Sequence, residues 1–269
     1  ETGLPIALPG ACFRSRSVEE VAVSAAAASA DPDHEKQRSA PRVTGHLDES
    51  QMIRVLMVLD SFDCGGAENL VAELARHAPP SMKVSVASLA PAESGRDAML
   101  DRLTHAGLRP TFLSVRRLLD PSGFVRLVRT LRRAPVDVVH AHLGYAAILL
   151  PLAGRLAGKP VVATLHVSPQ RHAGRGDWLK ERLSVRLPAR LGRLVLVSQH
   201  AYEHYARAHG PTRATWRLIP NGVGLDRYTP ARRRRASECP VWVVVAALRP
   251  DKNHVGPAVT SNASWRKRA

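Results

Sequence analysis

Hydrophobic positions along the chain change period repeatedly, and each change marks an element. Ile53-Arg54-Val55-Leu56-Met57-Val58-Leu59 is a strand-length apolar run. A turn through Gly65 and Gly66 follows, after which Ala67, Leu70, Val71, Leu74 and Ala78 recur at helical spacing. Strand, glycine turn and helix in that order open a doubly wound α/β domain. The alternation continues with strands predicted at Val84–Leu89, Pro110–Val115, Val136–His140, Val161–His166, Leu194–Ser198 and Trp216–Ile219. Helices are predicted between them at Arg96–His105, Pro121–Arg133, Tyr145–Leu156, Trp178–Leu187 and Ala201–His209. Short strands joined through helices require right-handed crossovers, so the sheet is expected to be mostly parallel. The fold class is therefore α/β, a Rossmann-like, doubly wound sheet.

The flanks carry different patterns. Residues 1–49 hold no sustained apolar period and are expected to be a disordered leader. Residues 50–229 take the Rossmann-like domain, and 230–240, with the run Arg232–Arg235, form a linker. Residues 241–269 begin a second domain with the apolar strand Val241–Leu248 and the loop Arg249–His254. No apolar period follows in Thr260–Ala269, and a lone strand leaves both faces uncovered. The expectation is a second domain begun and not completed.

Composition narrows the picture. Hydrophobic residues make up 45% of the chain and aromatics only 4%, which suits an aliphatic core of buried parallel strands. The formal net charge of +16 attracts nucleic acid, anionic membrane or phosphorylated ligands alike. With no nucleic-acid motif and few aromatics for base stacking, nucleic acid ranks last among these. Cys12, Cys64 and Cys239 are far apart and in no metal-ligand spacing, which favours a reducing compartment. No signal segment is recognisable, and the apolar stretch Ala146–Ala157, broken by Pro151 and Arg155, is too short to span a bilayer. A cytoplasmic location, peripheral at the inner face of the membrane, is the expectation.

Candidate chemistry falls at strand ends. Gly65 and Gly66, followed by Ala67 and Glu68, let backbone approach a ligand closely at a helix start. The same residues equally make a tight turn with Glu68 at the helix dipole. His140 and His142 lie where a strand ends, at the carboxyl edge that binds ligands in open α/β sheets. Two histidines are too few for a metal, leaving hydrogen bonding, acid–base work, or a loop histidine satisfied by backbone. His166 closes the next strand at that edge. Asn221-Gly222 suits a positive-φ turn, and Arg249 with Lys252 offers a basic pair for phosphates or simply a solvated charge run.

Taken in order, GGAE (65–68), DVVHAH (137–142), LVSQHAYEHY (196–205), IPNGV (219–223) and ALRPDKNH (247–254) resemble the family-4 glycosyltransferases. That resemblance implies the amino-terminal, acceptor-side half of a glycosyltransferase B-type fold, whose partner domain holds a nucleotide-diphospho-sugar. It implies retaining hexosyl transfer without a bound metal or cofactor, to a glycan, lipid-linked or small-molecule acceptor. By position, His142 matches the catalytic cleft histidine, while Gly65, Gly66, Glu68, His140, His166, Asn221 and Gly222 fall at the acceptor side of the cleft. Lys252, with Arg249 nearby, matches the donor-diphosphate contact, although Ala247 stands where the family usually has arginine. The family's downstream glutamates find no counterpart before Ala269, so the chain by itself is expected to be an inactive, truncated form. The alternative is a non-catalytic acceptor- or partner-binding module. The basic helices within Arg116–Arg133 and Arg171–Arg193 suit an anionic membrane surface, or core-facing helices with a solvated basic side.

Overall fold

A computed structural model describes residues 52–167 and 174–223. The leader expected at 1–49, the linker at 230–240 and the second domain at 241–269, with Arg249 and Lys252, lie outside the described residues.

Seven strands form one sheet. They are β1 (Ile53–Leu59), β2 (Met82–Ser88), β3 (Thr111–Phe112), β4 (Val138–His142), β5 (Val161–Leu165), β6 (Arg193–Leu196) and β7 (Trp216–Leu218). Six α-helices connect them: α1 (Gly66–His77), α2 (Leu100–His105), α3 (Pro121–Arg133), α4 (Gly144–Ala157), α5 (Arg175–Leu191) and α6 (Gln199–His209). The strand order is β3-β2-β1-β4-β5-β6-β7, and every pairing is parallel. Winding runs outward from β1 in one direction, then restarts on its other side at β4. The doubly wound expectation is met, and the switch point between β1 and β4 is the crevice where such sheets take ligands.

Strand alternation assigns the two faces. Val55, Met57 and Leu59 pack with Val71 and Leu103 of α1 and α2. Leu56 and Val58 pack with Leu127, Leu131 and Leu150 of α3 and α4. Val139 and Ala141 of β4 join this second cluster, as do Val161, Ala163 and Leu165 of β5. His140, His142 and Thr164 must therefore project to the opposite face, the one that carries Met57.

Several element bounds differ from expectation. β4 runs to His142, so both histidines lie within the strand rather than beyond it. The parallel register, pairing His140 with Val162 and His142 with Thr164, extends it. The strand expected at 110–115 pairs only over Thr111–Phe112, as an edge strand with one neighbour. The helix expected from Arg96 starts at Leu100, because the Arg96 carbonyl is spent on Phe62 N–H and Met99 N–H donates to the Phe62 carbonyl. Conversely, α5 runs through Pro188 to Leu191. Its carboxyl half is buried at Ser184, Val185, Pro188 and Ala189, so that half packs on the core.

Candidate functional site

Three imidazoles gather at the carboxyl ends of β4 and β5. His140 Nε2 lies 2.7 Å from Thr164 Oγ1 on the neighbouring strand. His142 Nδ1 lies 3.0 Å from His166 Nε2, and His142 Nε2 lies 3.4 Å from the Met57 sulfur. The His140 and His142 rings are 4.1 Å apart between centroids, and the His166 ring lies nearly coplanar with that of His142, edge to edge, with centroids 5.3 Å apart. His142 is 3% exposed, whereas His166 is half-buried.

Burial governs their charge. Desolvation takes His140 and His166 down to about 4 from the ordinary value of 6.5 and lowers His142 well below that ordinary value, with the neighbouring imidazoles adding to the effect on His140 and His142. All three are neutral at physiological pH. The alternative of a loop histidine held by backbone is set aside for this pair, whose ring partners are side chains. Among the described residues no group of three His, Cys, Asp or Glu side chains can hold a metal ion.

The turn after β1 closes the crevice from the other side. Asp60, not singled out from the sequence, accepts hydrogen bonds from the backbone N–H groups of Tyr145 (3.1 Å) and Ala146 (2.7 Å). Its carboxylate thus satisfies the first turn of α4 and ties β1 to β4 at the switch point. Burial raises Asp60 to about 6, against the lowering effect of those two bonds. The chain reaches α4 through Leu143, which adopts φ 74°. Nothing in a Leu side chain announces that conformation. Asp60, a polar residue in a turn, was equally unremarkable by pattern.

Gly65 and Glu68 interlock. Glu68 is 5% exposed, and a side chain added at Gly65 would collide with its carboxylate. Burial raises Glu68 above the usual carboxylate range, helped by Asp63 and opposed by Arg96. Gly66 is different: an added Cβ would meet nothing within 4 Å, and its φ is not positive. The fold places no demand for glycine there.

The remaining candidates scatter. Asp137, first residue of the DVVHAH motif, stands at the opposite end of β4 and is clasped by Arg54 at 2.8 Å, which lowers its pKa. Asn221 and Gly222 are exposed after β7, and neither takes the positive φ expected of an Asn-Gly turn.

The sequence profile of Glycosyltransferase Family 4 matches residues 64–227. The chain belongs to this family. No curated protein sequence matches the chain. Among solved structures, HepE from Anabaena in complex with UDP and glucose is 20% identical over 66% of this chain and 47% of its own, with a TM-score of 0.54. HepE in complex with UDP-glucose is 22% identical over 66% and 46%, with a TM-score of 0.51. At such identity the likeness is one of fold, and the chain spans about half the length of HepE. The match covers the described strands from the β1–α1 turn to β7, so the family-4 domain is the sheet that carries the histidine group.

Proposed function

We propose that the chain supplies the acceptor-side half of a retaining glycosyltransferase. It moves a hexose from a nucleotide-diphospho-sugar to a hydroxyl of a glycan, lipid-linked or small-molecule acceptor. The observation that carries this reading is the His142–His166 pair at the ligand edge of a family-4 domain. Neutral imidazoles there suit hydrogen bonding to sugar hydroxyls. The structures of HepE with UDP, with UDP and glucose, and with UDP-glucose support the donor class. Gly66 supports it further, since a glycine the fold does not require leaves room for a ligand. In this reading residues 50–229 are the acceptor domain, 230–240 the linker and 241–269 the opening of the donor domain. Arg249 and Lys252 contact the diphosphate, stabilising the leaving group without a metal.

A lipid-linked acceptor, met at an anionic membrane surface, is the finer proposal. Tyr145, Trp178 and Leu179 are each more than two-fifths exposed at the starts of α4 and α5. Lys180 lies over Tyr145 and Arg182 over Trp178. Aromatic and aliphatic groups beside cations are the composition of an interfacial contact. Among the described residues no helix is long and apolar enough to cross a membrane.

The test is ligand binding by the full chain, followed through the histidine ring resonances. Glucose or UDP-glucose is expected to shift His166 while leaving the exposed His77 and His105 unmoved. A ring set indifferent to every hexose and sugar nucleotide tried would sink the reading. Hexose binding without UDP release, in a chain continued by a donor half, would favour the non-catalytic module.

A further inference from the structure

The hydrogen-bond chain Met57–His142–His166 fixes more than position. A thioether sulfur can accept a hydrogen bond but has none to give. As a hydrogen bond, the 3.4 Å contact of His142 Nε2 with Met57 Sδ puts the proton on that nitrogen. A neutral imidazole has one N–H, so His142 Nδ1 is left as a lone pair. That lone pair faces His166 Nε2 at 3.0 Å and can only be answered by an N–H. His166 is then protonated at Nε2, and its own Nδ1 is bare. No other hydrogen bond is made by His166 among the described residues.

We propose that Met57 and His142 are positioning residues that lock His166 in its Nε2–H tautomer. Its Nδ1 is thereby committed as an acceptor for a neutral hydroxyl, and against phosphodiester or diphosphate oxygens. Only His166 of the pair reaches the surface, so it is the member able to touch a ligand. A sugar hydroxyl has a proton to donate to Nδ1. The oxygens of a phosphodiester, or of the diphosphate in a sugar nucleotide, carry no proton near neutral pH; they bring lone pairs against a lone pair and would need an imidazolium. Neutrality of the group, favoured by partial or full desolvation of three imidazoles whose centroids lie 4.1 and 5.3 Å apart, denies them one. The inference deepens the transferase reading and rests on it only for the identity of the hydroxyl. It shifts the ligand contact from His142, the family's motif position, to His166.

The test uses the full chain with 15N-labelled histidine, at neutral pH, in two-bond proton–nitrogen correlation spectra. His142 and His166 are both expected as Nε2–H tautomers with unprotonated Nδ1. Met57→Leu, a near-isosteric core change, is expected to relax both rings into tautomer mixtures while the fold persists. Glucose is expected to bind at His166 roughly tenfold or more tightly than dimethyl phosphate, whose oxygens carry no proton, the equivalent of one mismatched buried polar pair. An Nδ1–H proton on His166, an imidazolium there at neutral pH, or a preference for dimethyl phosphate overturns the proposal. Should Met57→Leu not fold, the wild-type tautomers still decide it. Correct tautomers with no response to any hexose would leave the relay standing and count against the transferase reading alone.

Discussion

At the scale of single residues, the histidine group sets how the domain responds to acid. His140 and His166 stand at about 4 in the folded chain and near 6.5 when unfolded, so protonation favours the unfolded state. Their effect is absent above pH 6.5, grows as pH falls, and is complete near pH 4. Each contributes on the order of 3 kcal/mol of acid destabilisation. Asp60 has the opposite sign: raised to about 6 from 3.8, it is better tolerated folded when protonated, so acidification between those values stabilises. The histidines outnumber it, and urea titrations at pH 7, 6 and 5 are expected to show a falling midpoint. Asp60→Asn, which removes the opposing group, should steepen that fall; a shallower one would refute the assignment. Gly66→Ala makes a second residue-scale prediction. With space around the missing Cβ and a helical backbone, it is expected to raise stability by up to about 1 kcal/mol. Hexose affinity should drop in the same variant, as titration calorimetry would show. Stability and affinity falling together would mean that the glycine serves the fold.

Elements owe their bounds to contacts that periodicity does not contain. α5 ends against β5: a side chain at Gly192 would run into the Val161 carbonyl oxygen, which is backbone and cannot swing away. Gly192→Ala is therefore expected to cost roughly 2 kcal/mol or more by overpacking. In the first turn of the same helix, Gly176→Ala meets nothing and should stabilise slightly. Thermal melts of the two variants, read side by side, check the contrast. Helices α1, α3 and α6 were legible because their buried stripes follow a period set by their own backbone, and α4, buried on most sides, because it is one long apolar run. β3 and α2 were not. β3 pairs with β2 alone, and the backbone bonds that the loop at 96–99 gives to Phe62 delay the start of α2. Asp137 shows the same limit, since its motif neighbours lie at the site while Arg54 holds it at the far end of the strand.

For the whole molecule, charge is the distributed property. The outer side of α3 exposes Arg126, Arg129, Arg132 and Arg133, and an open depression there is lined by Arg126, Arg129, Thr130 and Arg133. This depression lies on the helix surface and is separate from the histidine group. Sedimentation with vesicles is expected to retain the full chain on anionic but not on zwitterionic lipid, with retention lost as salt shortens the screening length. Trp178→Ala should weaken retention several-fold if the starts of α4 and α5 enter the interface. Retention that survives high salt and ignores Trp178 would argue against the membrane proposal.

The order of strands and helices, the parallel sheet and the choice of β4 and β5 as bearers of chemistry were determined by the sequence alone. Each depends on local period, on turn residues or on the handedness of crossovers, all of which act over short stretches of chain. Tertiary structure decided which atoms meet. Met57 reads as core, Asp60 as a turn residue and His166 as a strand terminus until β1, β4 and β5 lie side by side. Then the sulfur sits against His142, the carboxylate caps α4 and the His142 and His166 imidazoles meet edge to edge. Burial, and with it the neutrality of the histidines, is a property of that assembly. No residue carries it in its own identity, because desolvation comes from neighbours distant in sequence.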